Sequence, residues 1–303
     1  MSASTEGGLT RLMAATDLSE LAGHAVARAF GLAAISGAGL TLVHVLNGSV
    51  LEQLRALLGA DSAPVEQRLR ESAETAIRAQ MATVPSHHGV KADLQLLTGE
   101  IIATLLAEAD RLDAGLVVLG AAGESLARRF LLGATVERLL QKTTRPLLVV
   151  RQPAAQPYRK VLVPIDFSDW SLPALHLARA VAPEARLVLL HAYEAPFEAR
   201  LGLAGVDDGV IQTYRTSARL DAERQLRELV AAAGLPAGSY VTQLKHGPAV
   251  RVIENSLAHD GCELVVMGKH GRGMVEEMLM GSVTQHLVQE AKVDVLVSSL
   301  AEV

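Results

Sequence analysis

The sequence predicts two α/β domains in one chain, each a five-stranded parallel sheet with helices on both faces. Three observations carry that prediction. Short apolar runs of strand length alternate with longer amphipathic helical segments, the whole pattern occurs twice, and the composition suits it. Half of the 303 residues are apolar but only 3% are aromatic, which fits helices packed on Val/Leu-rich parallel strands. A chain of this length can bury a large core and accommodates two domains better than one.

The first half opens with the run 10–17, TRLMAATD, a strand ending at Asp17, followed by a helical segment with Ser19 as N-cap. After Gly37 and Gly39, LTLVHVL is a second strand that carries His44 and Val45. A polar stretch to about Pro64 leads into the long helix VEQRLRESAETAIRAQMATV. KADLQLLTG is the third strand, EIIATLLAEADRLDA a helix, and GLVVLG the fourth strand, ending at Gly120. The bridge AAGESLARRFLLGAT, with Gly123 and Gly133, precedes the helix VERLLQKTT, and LLVVR follows Pro146 as the fifth strand.

Residues 152–159, QPAAQPYR, hold two prolines and no periodicity and read as a linker, so the domains are placed at 1–152 and 158–303. Beyond the linker the order begins again with VLVPID, SDWSLPALHLARAVA, RLVLLHAY, a long helix, SYVTQLKHG, PAVRVIENSLAHDG, LVVMG and DVLVSS. The register of the repeat is close. Asp17 and Asp166 stand 149 apart, Gly120 and Gly268 as well as Gly133 and Gly281 stand 148 apart, and His44 and His191 stand 147 apart. Alternation of strands and helices implies right-handed crossovers, and the constant offset marks an internal duplication.

Several classes of function fit poorly. A formal charge of -5 gives no basic footprint for nucleic acid, and so few aromatics make no stacking platform for bases. The single cysteine, Cys262, forms no intrachain disulfide, fits a reducing compartment and, just before a buried strand, reads as an inert core thiol. The first residues show no secretory pattern and no apolar run reaches membrane-spanning length, so a soluble cytoplasmic protein is expected. The GxxxxGK[ST] phosphate grip is missing from the sequence, so at most weak ATPase activity is expected. His87 and His88 read as solvated loop residues, with nothing at metal-ligand spacing beside them.

The stretch from Leu264 to Thr284 concentrates the chemistry. A buried strand ends at Gly268, a loop carries Gly271 and Gly273, and a helix begins near Val283, so Gly281 and Ser282 fall where amides have no helical partner. Glycine admits close approach of an anion, the helix start adds free N–H groups and positive potential, Ser282 and Thr284 add hydroxyls, and Lys269 and Arg272 add charge. With nothing bound, the same residues read as a strand end, a tight turn and a helix cap, with Met278 and Met280 as apolar cover. In parallel sheets ligands bind beyond the carboxyl ends of the strands, where the order reverses, so Asp166, Ala192, Tyr193 and Gly268 can line one crevice. His270, in the loop, is either an exposed loop residue or a phosphate contact, while His44 and His191 read as hydrogen-bonded structural imidazoles.

With these residues the sequence resembles the universal stress protein family in its tandem form. Nucleotide-binding members of that family carry glycine, two residues, glycine, nine residues, then glycine and serine or threonine, which Gly268, Gly271, Gly281 and Ser282 match. The opening strand VLVPIDFS also looks like the family's, and the match spans nearly the whole chain. The resemblance implies two flavodoxin-like, Rossmann-like domains of the adenine-nucleotide α-hydrolase-like type, with strand order 3-2-1-4-5. It implies an ATP site in the second half formed by Pro164, Ile165, Asp166, Ala192, Met267, Gly268, Gly271, Arg272, Gly273, Gly281, Ser282, Val283 and Thr284. Asp166 and the backbone around Ala192 would contact adenine, Gly268 and Gly271 the ribose and phosphates, and Gly281 to Thr284 the phosphates. Ile165 stands where a polar residue is often found.

In the first half the corresponding residues are Asp17, Val45, Gly120, Gly123, Gly133 and Thr135. That half departs from the pattern at Ala134, which lacks the hydroxyl, at Ser125 in place of the third glycine, and at Glu124, which brings a carboxylate into the loop. Thr135 is one helical step, about 100°, from the place it would have to fill. Weak or no binding is expected there, since like charges oppose an anion.

The family resemblance thus implies a stress-response regulatory protein that binds ATP, or ADP or AMP, with Mg²⁺ as an accompanying ion. It also implies a homodimer and an intrachain pseudo-dimer, with the apolar closing strands as pairing edges. A slow metal-dependent nucleotide hydrolase or adenylyl- or phosphoryl-transfer enzyme is the first alternative. A dimerisation module with vestigial sites is the second.

Overall fold

The structure is a computed structural model that describes residues 9–84, 89–121, 132–153, 156–194, 206–271 and 280–299. Gly123 to Ser125, Arg272, Gly273, Met278 and the pair His87 and His88 lie outside the described residues. Packing divides the described chain into two units. The first runs to Pro157 and includes Val288–Val297, and the second comprises Tyr158–Leu287 with Ser298 and Ser299.

The first unit contains β1 (Arg11–Ala15), α1 (Glu20–Ser36), β2 (Gly39–Asn47), α2 (Gly48–Leu58), a 3-10 turn at Gly59–Asp61, α3 (Ser62–Ala82), β3 (Ala92–Gly99), α4 (Ile101–Arg111), β4 (Leu116–Gly120), α5 (Ala134–Lys142) and β5 (Leu147–Val150). The strands run parallel in the order β3-β2-β1-β4-β5, the flavodoxin-like order that the resemblance implies. Leu12, Met13 and Ala14 of β1 and all of β5 are buried, as expected of strands covered on both faces. Ser19 caps α1 by accepting the Ala22 N–H at 3.2 Å, and Gly37, at φ 70°, ends it in the left-handed conformation that glycine tolerates.

One expectation fails in this unit. The stretch between β2 and Pro64 is not merely a polar connection, because residues 48–58 form α2. Asn47 starts that helix by accepting the Ser49 N–H at 3.1 Å. Leu51 is its buried residue and Leu57 is 83% exposed, but Val50, Leu51, Leu54, Leu57 and Leu58 recur at helical spacing, so the helix is legible in the sequence.

The second unit contains β6 (Lys160–Pro164), α6 (Ser171–Val181), β7 (Arg186–Tyr193), α7 (Asp208–Ala232), β8 (Tyr240–His246), α8 (Ala249–His259), β9 (Leu264–Gly268) and the start of α9 (Ser282–Glu290). Its strands are parallel in the order β9-β6-β7-β8, so the direction of winding reverses between β6 and β9. Val161 to Val163 and Leu264 to Val266 are fully buried.

The closing strand β10 (Asp294–Ser298) belongs by sequence repeat to the second half, yet it packs within the first unit. It runs antiparallel to β5, with Val295 opposite Val149 and Val297 opposite Leu147. A buried carboxylate helps hold it there. Asp294 is fully buried, accepts the Arg151 and Gln152 N–H groups at 2.8 and 3.1 Å, and pairs with the buried Arg28 guanidinium at 3.4 Å. The Arg151 guanidinium donates to the Val288 carbonyl, and burial lowers its pKa. Buried charges of this kind survive only when paired and hydrogen-bonded. Among the described residues no helix is long and apolar enough to cross a membrane.

Candidate functional site

The described residues singled out in the second half meet at the carboxyl ends of β6, β7 and β9. A cleft of about 700 Å³ opens there, lined by Pro164, Ile165 and Asp166 after β6, by Ala192 and Tyr193 at the end of β7, by Met267, Gly268 and Gly271, and by Gly281 to Thr284. Its position at the reversal of strand order is where doubly wound sheets hold their ligands, and its volume suits a small organic molecule.

Local hydrogen bonds fix each wall. The Ile165 N–H donates to the Leu190 carbonyl at 2.8 Å, continuing the ladder one residue past β6 and burying the Ile165 side chain. Asp166 then turns the chain, with Oδ1 accepting from the Ser168 N–H at 3.0 Å, the Ser168 hydroxyl at 2.6 Å and the Ser171 hydroxyl at 3.0 Å. Phe167 adopts φ 59°, an uncommon conformation for a bulky side chain, at this turn. His191 Nδ1 lies 2.7 Å from the Ile165 carbonyl, which can only accept, so the proton sits on Nδ1. The imidazole packs against the Phe167 ring at 4.3 Å between centroids.

Packing requires glycine at Gly268 and favours it at Gly271. A side chain at Gly268 would collide with the Trp170 side chain, which leads into α6, and one at Gly271 would stand 3.0 Å from Asp166 Oδ2. Gly281 donates to the Lys269 carbonyl at 2.9 Å, and its own carbonyl accepts the first helical bond of α9, from Gln285, at 2.8 Å. The N–H groups of Ser282, Val283 and Thr284 therefore have no carbonyl ahead of them in the helix, and all three residues line the cleft. Ser282 is exposed. Thr284 differs from the expectation of a free hydroxyl donor, because its side chain is buried and donates to the Gly268 carbonyl at 2.9 Å. That bond ties the start of α9 to the end of β9.

The described lining carries three carboxylates, Asp166, Glu194 and Asp221, two imidazoles, His191 and His270, and no lysine or arginine. Lys269 stands next to the lining without joining it, and burial lowers its pKa. The described positive potential comes from main-chain amides and the helix start. Among the described residues no group of histidines, cysteines or acids is arranged to hold a metal ion.

Sequence reasoning missed one wall. Ala218, Asp221, Ala222 and Gln225 of α7 line the cleft at i, i+3, i+4 and i+7, together with Ala249 and Ile253 of α8. The spacing of two alanines and two polar residues on one helical stripe is legible in the sequence. Only the packing of α7 against β7 and β8 says that the stripe faces the cleft.

The first unit repeats the framework and changes the opening. The Thr16 N–H donates to the Val43 carbonyl, Asp17 Oδ1 accepts the Ser19 N–H at 3.1 Å, Leu18 takes φ 72°, and His44 Nδ1 lies 2.8 Å from the Thr16 carbonyl. A side chain at Gly120 would stand 2.8 Å from the Leu21 backbone. Gly133 donates to the Ala121 carbonyl at 2.8 Å, and the Glu137 N–H returns to the Gly133 carbonyl at 3.1 Å, the same turn as at Gly281. Where Thr284 ties helix to strand, the first unit has the buried Val136.

Gln80 of α3 crosses the first unit's opening. It accepts from the Thr16 hydroxyl at 2.7 Å and donates to the Ser19 carbonyl at 3.1 Å. Thr135 lines a separate hollow of about 570 Å³ with Asn47, Glu52, Glu100 and Arg138, whereas Asp17, Val45, Gly120 and Gly133 do not line it. The Glu100 carboxyl there is held below its usual pKa, first by the Ala103 N–H it accepts at 2.6 Å.

Duplicated, doubly wound α/β units, one with a cleft at its winding reversal, define the class of protein. The universal stress protein family model matches residues 8–151 and again 157–299, and the chain belongs to that family, in tandem form. It is 27% identical over 291 residues to a universal stress protein of Mycobacterium tuberculosis (strain ATCC 25618 / H37Rv), a match covering 88% of this chain and 89% of that protein. A universal stress protein of Methanocaldococcus jannaschii is 26% identical over 156 residues, 46% of this chain and 94% of its own. Among solved structures, a universal stress protein from Archaeoglobus fulgidus DSM 4304 shares the fold with a TM-score of 0.66 at 20% identity, over 95% of this chain and 98% of that one.

Proposed function

We propose that the second unit binds an adenine nucleotide, ATP in the first instance, and that the protein acts as a stress-response regulator. One observation carries this reading: the cleft brings the strand-end residues Pro164 to Asp166 and Ala192 together with the amides that open α9. The apolar strand ends flank a ring, the Asp166 turn offers an acceptor to base or ribose, and the amides of Ser282, Val283 and Thr284 take the phosphates. With no lysine or arginine in the described lining, Arg272 and an accompanying Mg²⁺ are the sources of countercharge in this reading.

The protein binds rather than turns over, with at most weak hydrolysis, because the described cleft offers neither a P-loop nor a prearranged metal cluster to position an attacking water. In this reading it works in the cytoplasm, pairs with a second copy, and has neither nucleic acid nor membrane as partner. Isothermal titration with ATP, ADP and AMP tests the nucleotide site. Binding of at least one of them, abolished by Gly281→Asp, is expected. Absence of heat with all three, or undiminished binding by the variant, refutes the proposal.

A further inference from the structure

The α7 stripe suggests how the cleft selects its base, an inference that rests on the adenine-nucleotide reading above. Gln225 is half-buried and lines the cleft. Its Nε2 donates to Asp221 Oδ2 at 2.7 Å, and Asp221 Oδ1 is in turn held by the Arg224 guanidinium at 2.6 Å. The carboxylate partner can only accept, so the amide is turned with its NH₂ towards Asp221. The same bond sets the acceptor Oε1 at the other end of the amide, and an amide oxygen recognises a hydrogen-bond donor.

Topology indicates which part of the ligand that is. Across the sheet the order is β9-β6-β7-β8, with the α9 amides following β9 on one side. On the other side α7 packs against β7 and β8, beside Ala192. Phosphates at α9 put the base towards α7. Ala218 and Ala222 on the same stripe have side chains small enough to leave it room.

We infer that Gln225, oriented by Asp221, is a specificity-determining residue that accepts a hydrogen bond from the exocyclic 6-amino group of adenine. A 6-oxo purine presents an oxygen to the same oxygen and is rejected. A site built to bond a donor discriminates against an analogue that lacks it, because its own acceptor is left unpaired.

Titration of the full chain with ATP, ITP and 2′-deoxy-ATP tests this. ATP is expected to bind at least about tenfold more tightly than ITP, the effect of one net hydrogen bond, with 2′-deoxy-ATP close to ATP. Gln225→Leu, which keeps side-chain volume on the helix, should bring the ATP to ITP ratio near one. Asp221→Asn, which lets the amide turn over, should reduce the ratio with Gln225 still present. Thermal melts of both variants report whether the fold is kept, and the ratio is read within each protein, so a general loss of affinity does not imitate the result. Equal binding of ATP and ITP by the wild type, a ratio unmoved by Gln225→Leu, or discrimination only against the deoxy sugar overturns the inference and leaves nucleotide binding standing. If neither ATP nor ITP binds, the adenine-nucleotide reading falls and the inference with it.

Discussion

The two halves of this chain share a backbone plan and differ in what stands at its opening. Both place an aspartate turn after the first strand, with a positive φ at Leu18 or Phe167, and both pin that turn with a histidine on its carbonyl. Both start the last helix from a glycine bonded back to the preceding loop. In the second unit small residues of α7 face a cleft of about 700 Å³. In the first, Gln80 bonds across the corresponding turn through Thr16 and Ser19. A duplicated scaffold can thus keep its strand-end geometry, which the fold itself requires, while the side chains that leave or fill space change freely.

The comparison also separates packing from binding at the glycines. Gly120 and Gly268 occupy equivalent strand ends, and both are needed because a helix start lies too close for a side chain. Their recurrence in both halves therefore says little about ligand. The difference lies at the start of the last helix, where the second half has Ser282 and Thr284 and the first has Ala134 and Val136.

The closing strands provide the largest expected contrast. β5 follows Pro146, whereas β10 opens with Asp294, fully buried between Arg28 and the Arg151 and Gln152 amides. Asp294→Ala removes the buried carboxylate that pairs with Arg28 and accepts the Arg151 and Gln152 N–H groups, and should lower unfolding stability by about 3–5 kcal/mol. Urea unfolding measures the loss, and an unchanged midpoint would show that the buried carboxylate contributes nothing to holding β10.

Gly120→Ala and Gly268→Ala should each cost about 1–3 kcal/mol as overpacking. Gly268 should suffer more, since its new methyl would stand 2.4 Å from Trp170 Cβ, which the backbone holds in place, while that of Gly120 would stand 2.8 Å from the Leu21 backbone. The same chemical unfolding checks the order, and equal, negligible costs would mean that the helix starts move apart freely. Thr284→Val removes the hydroxyl that satisfies the Gly268 carbonyl and should cost about 1 kcal/mol. Val136→Thr in the first unit should bring no comparable gain.

The smallest effect concerns Cys262. Burial pushes its thiol from the usual 9.0 up to about 11. The folded protein therefore holds this proton more tightly than the unfolded chain, and the associated stability, complete below pH 9, is lost as the pH rises through 11. Thiol labelling at pH 8 should be slow until denaturant is added, and Cys262→Ala should flatten the alkaline end of the stability profile. Rapid labelling of the native protein would contradict this.

Much of this architecture is legible in the sequence because strand and helix periods differ and the same order occurs twice. Gly268 and Gly281 are readable as cleft-lining residues since glycine and a helix start leave a pattern in one short stretch, and Asp166 since it ends a strand of the repeat. The α7 stripe is not, because its four residues acquire a common purpose only when the helix lies on β7 and β8. Nor is the bond of Thr284 to Gly268, which turns an expected ligand donor into a tie between strand and helix. The pairing of β10 with β5 follows the expectation for two apolar closing strands, whereas the buried pair of Asp294 and Arg28 beside it does not show in the sequence, since the two residues lie far apart along the chain.

The most direct test of the contrast between the halves is the number of ATP molecules bound per chain, measured by titration for the wild type, Gly133→Asp and Gly281→Asp. We expect one ATP per chain for the wild type and for Gly133→Asp, and none for Gly281→Asp with its fold confirmed by circular dichroism. Two ATP per chain, or a site lost with Gly133→Asp and kept with Gly281→Asp, would contradict the assignment of binding to the second unit.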